Sequence, residues 1–93
     1  MKLIWTNKAL SDLDRLYEFL SPTNKAAAAK AVQALVSAPH VLLQNPRIGE
    51  PLEDEAFSPQ EVRRILVGSY EIRYEIQGTN IHILRLWHTR EER

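Results

Sequence analysis

The sequence predicts an α+β fold in which an antiparallel sheet carries a helical hairpin on one face. Two segments with the apolar spacing of helices follow each other with almost no linker, and three β segments follow towards the C-terminus. A short apolar run before the helices supplies one more strand. The predicted order is β-α-α-β-β-β, and we expect a single domain over residues 1–93 because a chain of this length has room for one core.

The first strand, residues 3–5, leads into an amphipathic helix. Thr6 or Asn7 can cap that helix, since the side-chain oxygen of either residue accepts an amide hydrogen of the first turn. Apolar residues then recur at helical spacing and predict the face that packs on the sheet. This apolar stripe consists of Leu10, Leu13, Leu16, Tyr17 and Leu20.

The second helix is rich in alanine. Ser21 and Pro22 are predicted to begin it, because serine is a favoured cap and proline fits the first helical position. The alanines at 26–29 continue it, and Pro39 stops it. The few residues between the helices require an antiparallel hairpin.

Residues 38–60 are predicted to be an irregular connection, and a three-stranded meander follows. Its strands are residues 62–67, 70–76 and 81–87, with a two-residue turn at Gly68 and Ser69 and a second turn at 78–80. The middle strand alternates apolar and charged residues, so one of its faces is buried. The last strand is almost continuously apolar, which is typical of a central strand.

Composition argues against several functional classes. The formal net charge is zero, with 12 basic and 12 acidic residues, whereas a general nucleic-acid binder usually has a basic excess. The chain has no cysteine, no paired metal-ligand spacing and no glycine-rich phosphate loop. We therefore expect no metal and no cofactor. The apolar run at the N-terminus is too short for a signal peptide, and no later run is expected to span a bilayer, so we expect a cytoplasmic protein without membrane contact.

The end of the last strand concentrates Trp87, His88 and Arg90. Histidine is a common acid–base residue in catalysis, so His88 could move a proton, or it is a surface histidine at a strand end. Trp87 is either a core residue or a contact for a partner.

Arg85 interrupts the apolar last strand and must find a partner there. It is either a ligand for phosphate or carboxylate or one half of a cross-strand ion pair with Glu71 or Glu75. Arg63 and Arg64 point to opposite faces of their strand, and Arg64 is the better candidate to share a face with Arg85.

Over essentially its whole length, the chain resembles the RelE/ParE superfamily of type II toxin–antitoxin toxins. The resemblance rests on Ile4-Trp5-Thr6 before a Leu-rich helix, on the Pro-Arg-Ile-Gly loop at 46–49, and on residues 62–76 and 83–90. It implies a small toxin that a cognate antitoxin wraps and neutralises in a hetero-oligomer. Neither the identity of the antitoxin nor the stoichiometry follows from the sequence.

Two activities occur in this superfamily, and the resemblance favours one of them. RelE-like members cut mRNA on the ribosome without a metal, and ParE-like members block DNA gyrase. Where RelE-like nucleases carry lysines this chain has carboxylates, which would repel a phosphate backbone, and no tyrosine follows Arg90. These carboxylates are Glu50, Glu53, Asp54 and Glu55.

We therefore expect a ParE-like inhibitor of DNA gyrase that is not an enzyme. The alternative is a ribosome-dependent mRNA endoribonuclease. In it His88 would be the acid–base residue and Arg64, Arg85 and Arg90 the phosphate ligands. A third hypothesis is a non-toxic relative that only binds its antitoxin.

Two contact surfaces follow from the resemblance. The antitoxin is expected to lay an amphipathic helix against the helical hairpin and to add an extended segment to the sheet. The predicted antitoxin contacts are Leu13, Leu16, Tyr17, Leu20, Ala28, Val32 and Leu35. The predicted target contacts are Trp87, His88 and Arg90.

Overall fold

A computed structural model describes residues 1–52 and 61–91 of the chain. It contains strand β1 (Lys2–Trp5), helices α1 (Asn7–Leu20) and α2 (Lys25–Ser37), a 3₁₀ helix (Ala38–Leu43), and strands β2 (Glu50–Pro51), β3 (Glu61–Val67), β4 (Tyr70–Gln77) and β5 (Asn80–His88). The predicted α+β class and element order are confirmed. The 3₁₀ helix and β2 lie in the connection that was predicted to be irregular. The carboxylates Glu53, Asp54 and Glu55, which were used above to argue against a nuclease, lie outside the described residues.

The strands form one sheet in the order β1-β5-β4-β3-β2. Strands β3, β4 and β5 form the predicted antiparallel meander, and β1 pairs in parallel with β5. Gly68 and Gly78 begin the two-residue turns with φ of 58° and 57°. Glycine with positive φ at the first central position is the requirement of a type II′ hairpin turn, so the turn predicted at Gly68 and Ser69 is confirmed.

The core lies between one face of β4 and β5 and the helical hairpin. The sheet contributes Ile72, Tyr74 and Leu86, and the helices contribute Leu16 and Leu35; all of them are buried. Alternation along the strands leaves a second face of the sheet, the outer face, that points away from the helices.

The helix starts follow side-chain caps. Thr6 caps α1, because its hydroxyl oxygen accepts the Ala9 amide hydrogen at 3.1 Å. The predicted start of α2 at Ser21 and Pro22 is wrong. Residues 21–24 make a tight turn in which Asn24 N donates to Leu20 O at 3.2 Å. The side chain of Asn24 then caps α2 by accepting from the Ala27 amide at 3.0 Å.

The predicted apolar stripe of α1 is only partly correct. Leu16 is buried, but Leu10 is 47% exposed, and the polar residue Asp12 is buried instead. The reason is that α1 lies against the edge of β5, where unpaired backbone groups require a polar partner.

By length and composition alone, the helical segment Lys25–Leu43 could cross a membrane, which corrects the expectation that no segment could. The segment joins α2 to the 3₁₀ helix without a break and has a mean hydropathy of 1.3. Ala28, Leu35 and Leu42 of this segment are buried within the domain. A core helix of a globular domain passes the same test, so the finding is weak evidence for a membrane span.

Candidate functional site

The sheet register separates the predicted nuclease residues into two groups. Arg64 lies opposite Arg73, and Arg73 lies opposite Arg85, so these arginines share the outer face. His88 lies opposite Tyr70 on the helix side, where their rings meet edge to face with centroids 5.1 Å apart. The predicted sharing of a face by Arg64 and Arg85 is therefore correct, but His88 points to the other side of the sheet.

On the outer face, Arg64 of β3 and Arg73 of β4 form ion pairs with carboxylates of this protein. Arg64 donates from NH2 to Glu50 at 3.0 Å and from NH1 to Glu71 at 3.1 Å, and Arg73 donates from Nε to Glu71 at 3.0 Å. Glu71 is only 2% exposed. A phosphate at this position would meet two carboxylates, so the arrangement is that of a structural ion-pair network.

Arg85 pairs with a helix residue and not with the predicted Glu71 or Glu75. Its Nε donates to Asp12 Oδ2 at 2.8 Å, and the Leu86 amide donates to the same oxygen at 2.9 Å. Strand β1 ends opposite Ile83, so beyond that point no strand among residues 1–52 and 61–91 pairs with this edge of β5. Asp12 supplies the missing hydrogen-bond acceptor.

The ionised form of Asp12 is the stable one. Burial alone would raise the pKa of this carboxyl group, but hydrogen bonds from Arg85, the Leu86 amide and Arg15 outweigh burial and hold the pKa below its ordinary value. Asp12 therefore acts as a fixed negative charge that joins α1 to β5.

Trp87 is a packing residue of the outer face. The guanidinium carbons of Arg73 and Arg85 lie 4.7 Å and 5.8 Å from its ring centroid, which is cation–π geometry. The side chain is only 6% exposed. The side chain that was predicted to contact the target is therefore largely covered by the protein's own residues.

Residues 88–91 form an ordered turn, which we call the C-terminal turn. The Glu91 amide donates to His88 O at 3.0 Å, and the Thr89 amide donates to Ser69 O at 2.8 Å. The Arg90 amide donates to Nδ1 of His88 at 3.1 Å. Since Nδ1 is the acceptor, the hydrogen of the neutral imidazole is on Nε2, and His88 can offer Nε2–H as a donor.

Beside this turn lies a cleft of about 470 Å³, which we call the C-terminal cleft; its described lining is Phe19, His88, Arg90 and Glu91. Phe19, on the last turn of α1, is 68% exposed. Of the arginines that the structure describes, Arg90 is the one without a carboxylate at salt-bridge distance among the described residues. An exposed aromatic ring beside an unpaired guanidinium is typical of a protein-contact surface.

Sequence reasoning identified His88 and Arg90 in this cleft but missed Phe19. Phe19 lies off the apolar stripe of α1, among residues that face solvent. A large aromatic residue on the polar side of an amphipathic helix is the signal that could have identified it.

The structure corrects part of the predicted antitoxin surface. Leu16, Ala28 and Leu35 are fully buried in the core, so they are not available to a partner. Leu13, Leu20 and Val32 are half-buried. The large apolar side chains that the helical hairpin does expose are Leu10, Tyr17, Phe19 and Val36.

A second groove, of about 480 Å³, lies between the 3₁₀ helix and β3, and its lining includes Val41, Ile48 and Leu66. Strand β2 covers only Arg63 and Arg64 of β3. Along a strand, every second residue directs its backbone N–H and C=O groups to the same side. Because Val62 O accepts from Leu52 N on the outer edge at 3.1 Å, Leu66 points its backbone groups to the same side. No strand pairs with Leu66 there in the described part of the chain, and we call this groove and strand end the open edge.

The loop that forms one wall of the open edge is held rigidly. Tyr74 donates its hydroxyl hydrogen to Pro46 O at 2.6 Å and accepts from the Gly49 amide at 3.0 Å. Arg63 NH1 donates to Gly49 O at 2.7 Å. A Cβ at Gly49 would clash with the Tyr74 hydroxyl and lie 2.6 Å from the Arg64 carbonyl oxygen. These contacts explain why the loop at 46–49 needs its glycine.

Neither the cleft nor the open edge resembles a metal site. Within residues 1–52 and 61–91, no group of three or more His, Cys, Asp or Glu side chains could hold a metal ion.

Comparison with known proteins relates the whole chain to one family. Residues 3–93 match the family model described as the ParE toxin of the type II toxin–antitoxin system parDE. Nine chains of solved structures match significantly. One of them belongs to the chromosomal ParDE toxin–antitoxin system from P. aeruginosa. It is 30% identical, covers 95% of each chain and superposes with a TM-score of 0.75. No curated protein matches significantly.

Proposed function

Because the chain belongs to the ParE toxin family of the parDE type II toxin–antitoxin systems, we propose that it arrests growth by inhibiting DNA gyrase. A cognate antitoxin neutralises it. The observation that carries the choice of a protein target is the C-terminal cleft, where exposed Phe19 lies beside Arg90, an arginine without an ion-pair partner among the described residues. Gyrase works on DNA in the cytoplasm, so the proposal places the toxin there.

The charge distribution supports a protein target over a polyanion. Arg64 is bound by two carboxylates on the outer face, and Arg85 is bound by Asp12 of α1. His88 lies on the helix side. A nuclease needs its acid–base group and its phosphate ligands around one phosphate. The ribosome-dependent nuclease remains an untested alternative that these positions do not favour.

The direct test is a supercoiling assay with purified gyrase and relaxed plasmid. We expect wild-type toxin to abolish supercoiling as its concentration rises. Phe19→Ala and Arg90→Ala should each raise the inhibitory concentration about tenfold or more, the effect of losing a strong interface contact. Lys30→Ala, an exposed change on α2, is the control and should inhibit normally.

Undiminished supercoiling at a large excess of folded toxin would rule out gyrase as the target. Cleavage of mRNA in a reconstituted translation reaction, abolished by His88→Ala, would then support the nuclease alternative.

For the antitoxin, we infer two contacts. An extended segment pairs with the open edge at Leu66, and an amphipathic helix covers exposed apolar side chains of the hairpin such as Leu10 and Tyr17. Exposed apolar side chains beside unpaired backbone groups support this arrangement. Hydrogen exchange of the toxin–antitoxin complex tests it: the Leu66 amide should become protected, and an amide that exchanges as fast as in free toxin would contradict strand addition.

A further inference from the structure

Arg15 connects three parts of the chain through one guanidinium. Its Nε donates to Glu91 Oε2 at 3.0 Å and its NH2 donates to Leu86 O at 3.0 Å. Its NH1 donates to Asp12. A planar guanidinium with several fixed partners sets geometry as well as charge. The position of α1 is thereby coupled to the end of β5 and to the C-terminal turn.

Glu91 completes this connection from the other side. Besides Arg15, its carboxylate accepts the His88 amide hydrogen at 2.8 Å. Burial would raise the pKa of Glu91, but the His88 amide and Arg15 outweigh burial and lower it. The ionised carboxylate therefore holds both the start of the C-terminal turn and the helix beside it. We call the Arg15–Glu91 pair the latch.

The latch contributes little to the stability of the domain. The side chains of Arg15 and Glu91 are 41% and 23% exposed, and ion pairs with that much solvent access contribute little to stability. Its geometric effect is larger, because the latch joins the C-terminal turn, which extends beyond the last strand, to helix α1.

We propose that Arg15 and Glu91 are positioning residues that hold the C-terminal turn so that Arg90 and Phe19 meet the target together. This inference rests on the proposed function. Ordering the turn before binding lowers the entropy cost of association, which is the usual benefit of a preorganised contact surface. The latch acts through Arg90 and need not touch the target itself.

The test compares Glu91→Ala and Arg15→Met with wild type in the gyrase assay. Glu91→Ala leaves the Asp12 ion pairs intact, so it remains informative even if Arg15→Met lowers stability. We expect Glu91→Ala to raise the inhibitory concentration about tenfold, with antitoxin affinity unchanged within about twofold. Glu91→Gln, which retains an acceptor for the His88 amide, should recover part of the inhibition.

Hydrogen exchange separates positioning from a general loss of structure. In Glu91→Ala the His88 and Arg90 amides should exchange faster, while the Ile72 amide in the core should not. Arg47→Met is the matched control: it removes another partly exposed arginine–glutamate pair, with Glu61 at 3.0 Å, and should leave gyrase inhibition unchanged.

The outcomes are distinct. Wild-type toxin that fails to inhibit gyrase overturns the proposed function and this inference with it. Wild-type toxin that inhibits, together with Glu91→Ala that inhibits equally well, overturns the latch alone. Equal acceleration of exchange at all amides would also overturn it, because the pair would then be a general stabiliser.

Discussion

Asp12 takes the place of a strand partner at the edge of β5. Its carboxylate accepts from the Leu86 backbone and from Arg85, and it is only 3% exposed. Leu86 O, on the same residue, is satisfied by Arg15. Side chains from one turn of α1 thus replace the ladder that β1 does not extend far enough to form.

We predict that Asp12→Ala lowers the free energy of unfolding by about 2–3 kcal/mol at neutral pH. Removing one partner of a fully buried pair costs about 3–5 kcal/mol, but here both arginines are more than a third exposed and can be hydrated. Urea unfolding measures the change. Asp14→Ala, at an exposed position of the same helix, should change stability by less than about 0.5 kcal/mol, and equal effects of both variants would contradict the assignment.

Stability should also fall on acidification, mainly through Asp12 and to a smaller extent through Glu91. The folded-state pKa of each group lies below its ordinary value of 3.8 or 4.5. The stabilisation is therefore complete above the ordinary values and is lost as the pH falls through the lower folded-state values. Thermal unfolding from pH 7 to pH 2 should show the gap between wild type and Asp12→Ala closing below about pH 4; a constant gap would contradict the prediction.

At the scale of elements, the antitoxin contact that we propose lies on β3. Leu66 is 61% exposed and has no strand neighbour on its outer side among the described residues. Unpaired edges of this kind either accept another strand or carry charges that prevent it.

We predict that Leu66→Lys weakens antitoxin binding about tenfold or more, because a charge on an edge strand opposes strand addition. Calorimetric titration with the antitoxin measures the dissociation constant. Leu66→Val keeps an apolar β-former at the edge and serves as the matched control. Gyrase inhibition should be retained in both variants, and loss of inhibition in Leu66→Lys would indicate that the open edge contacts the target instead.

The order of elements could be predicted from the sequence because hydrophobic period and turn residues are local signals. The two-residue turn at Gly68 is an example. The burial of Asp12 could not be predicted, since it depends on where β1 stops relative to β5. A prediction from hydrophobic periodicity places only apolar residues on the buried face of a helix. It therefore assigned Leu10, and not Asp12, to the buried face of α1.

The candidate site was predictable only in part, for the same reason. His88 ends the last strand and Arg90 follows it, so both were found from their position in the sequence. Trp87 was assigned to the target surface because nothing in the sequence shows that Arg73 and Arg85 enclose it. Phe19 joins the site only because the fold brings the end of α1 beside the C-terminal turn.

At the scale of the molecule, charge is largely neutralised internally. Zero net charge and the pairing of the outer-face arginines leave no extended basic surface on the described residues. We therefore expect binding of labelled toxin to gyrase, measured without DNA, to weaken less than about tenfold between 50 and 200 mM salt. A protein with several phosphate contacts loses about 10³–10⁵ over that range. A comparably steep loss would indicate a nucleic-acid target.

The parallel pairing of β1 with β5 joins the first strand of the chain to the last. A ribosome making this protein emits β1 before the helices and the strands β2 to β4, and it emits the partner segment, Asn80–His88, after them. A nascent chain that has not reached residue 80 has nothing for β1 to pair with, and it lacks the acceptor groups that hold α1 in place. The cell is thus exposed to a folded toxin only after β5 has been made, which gives a co-expressed antitoxin time to be present before its partner is dangerous.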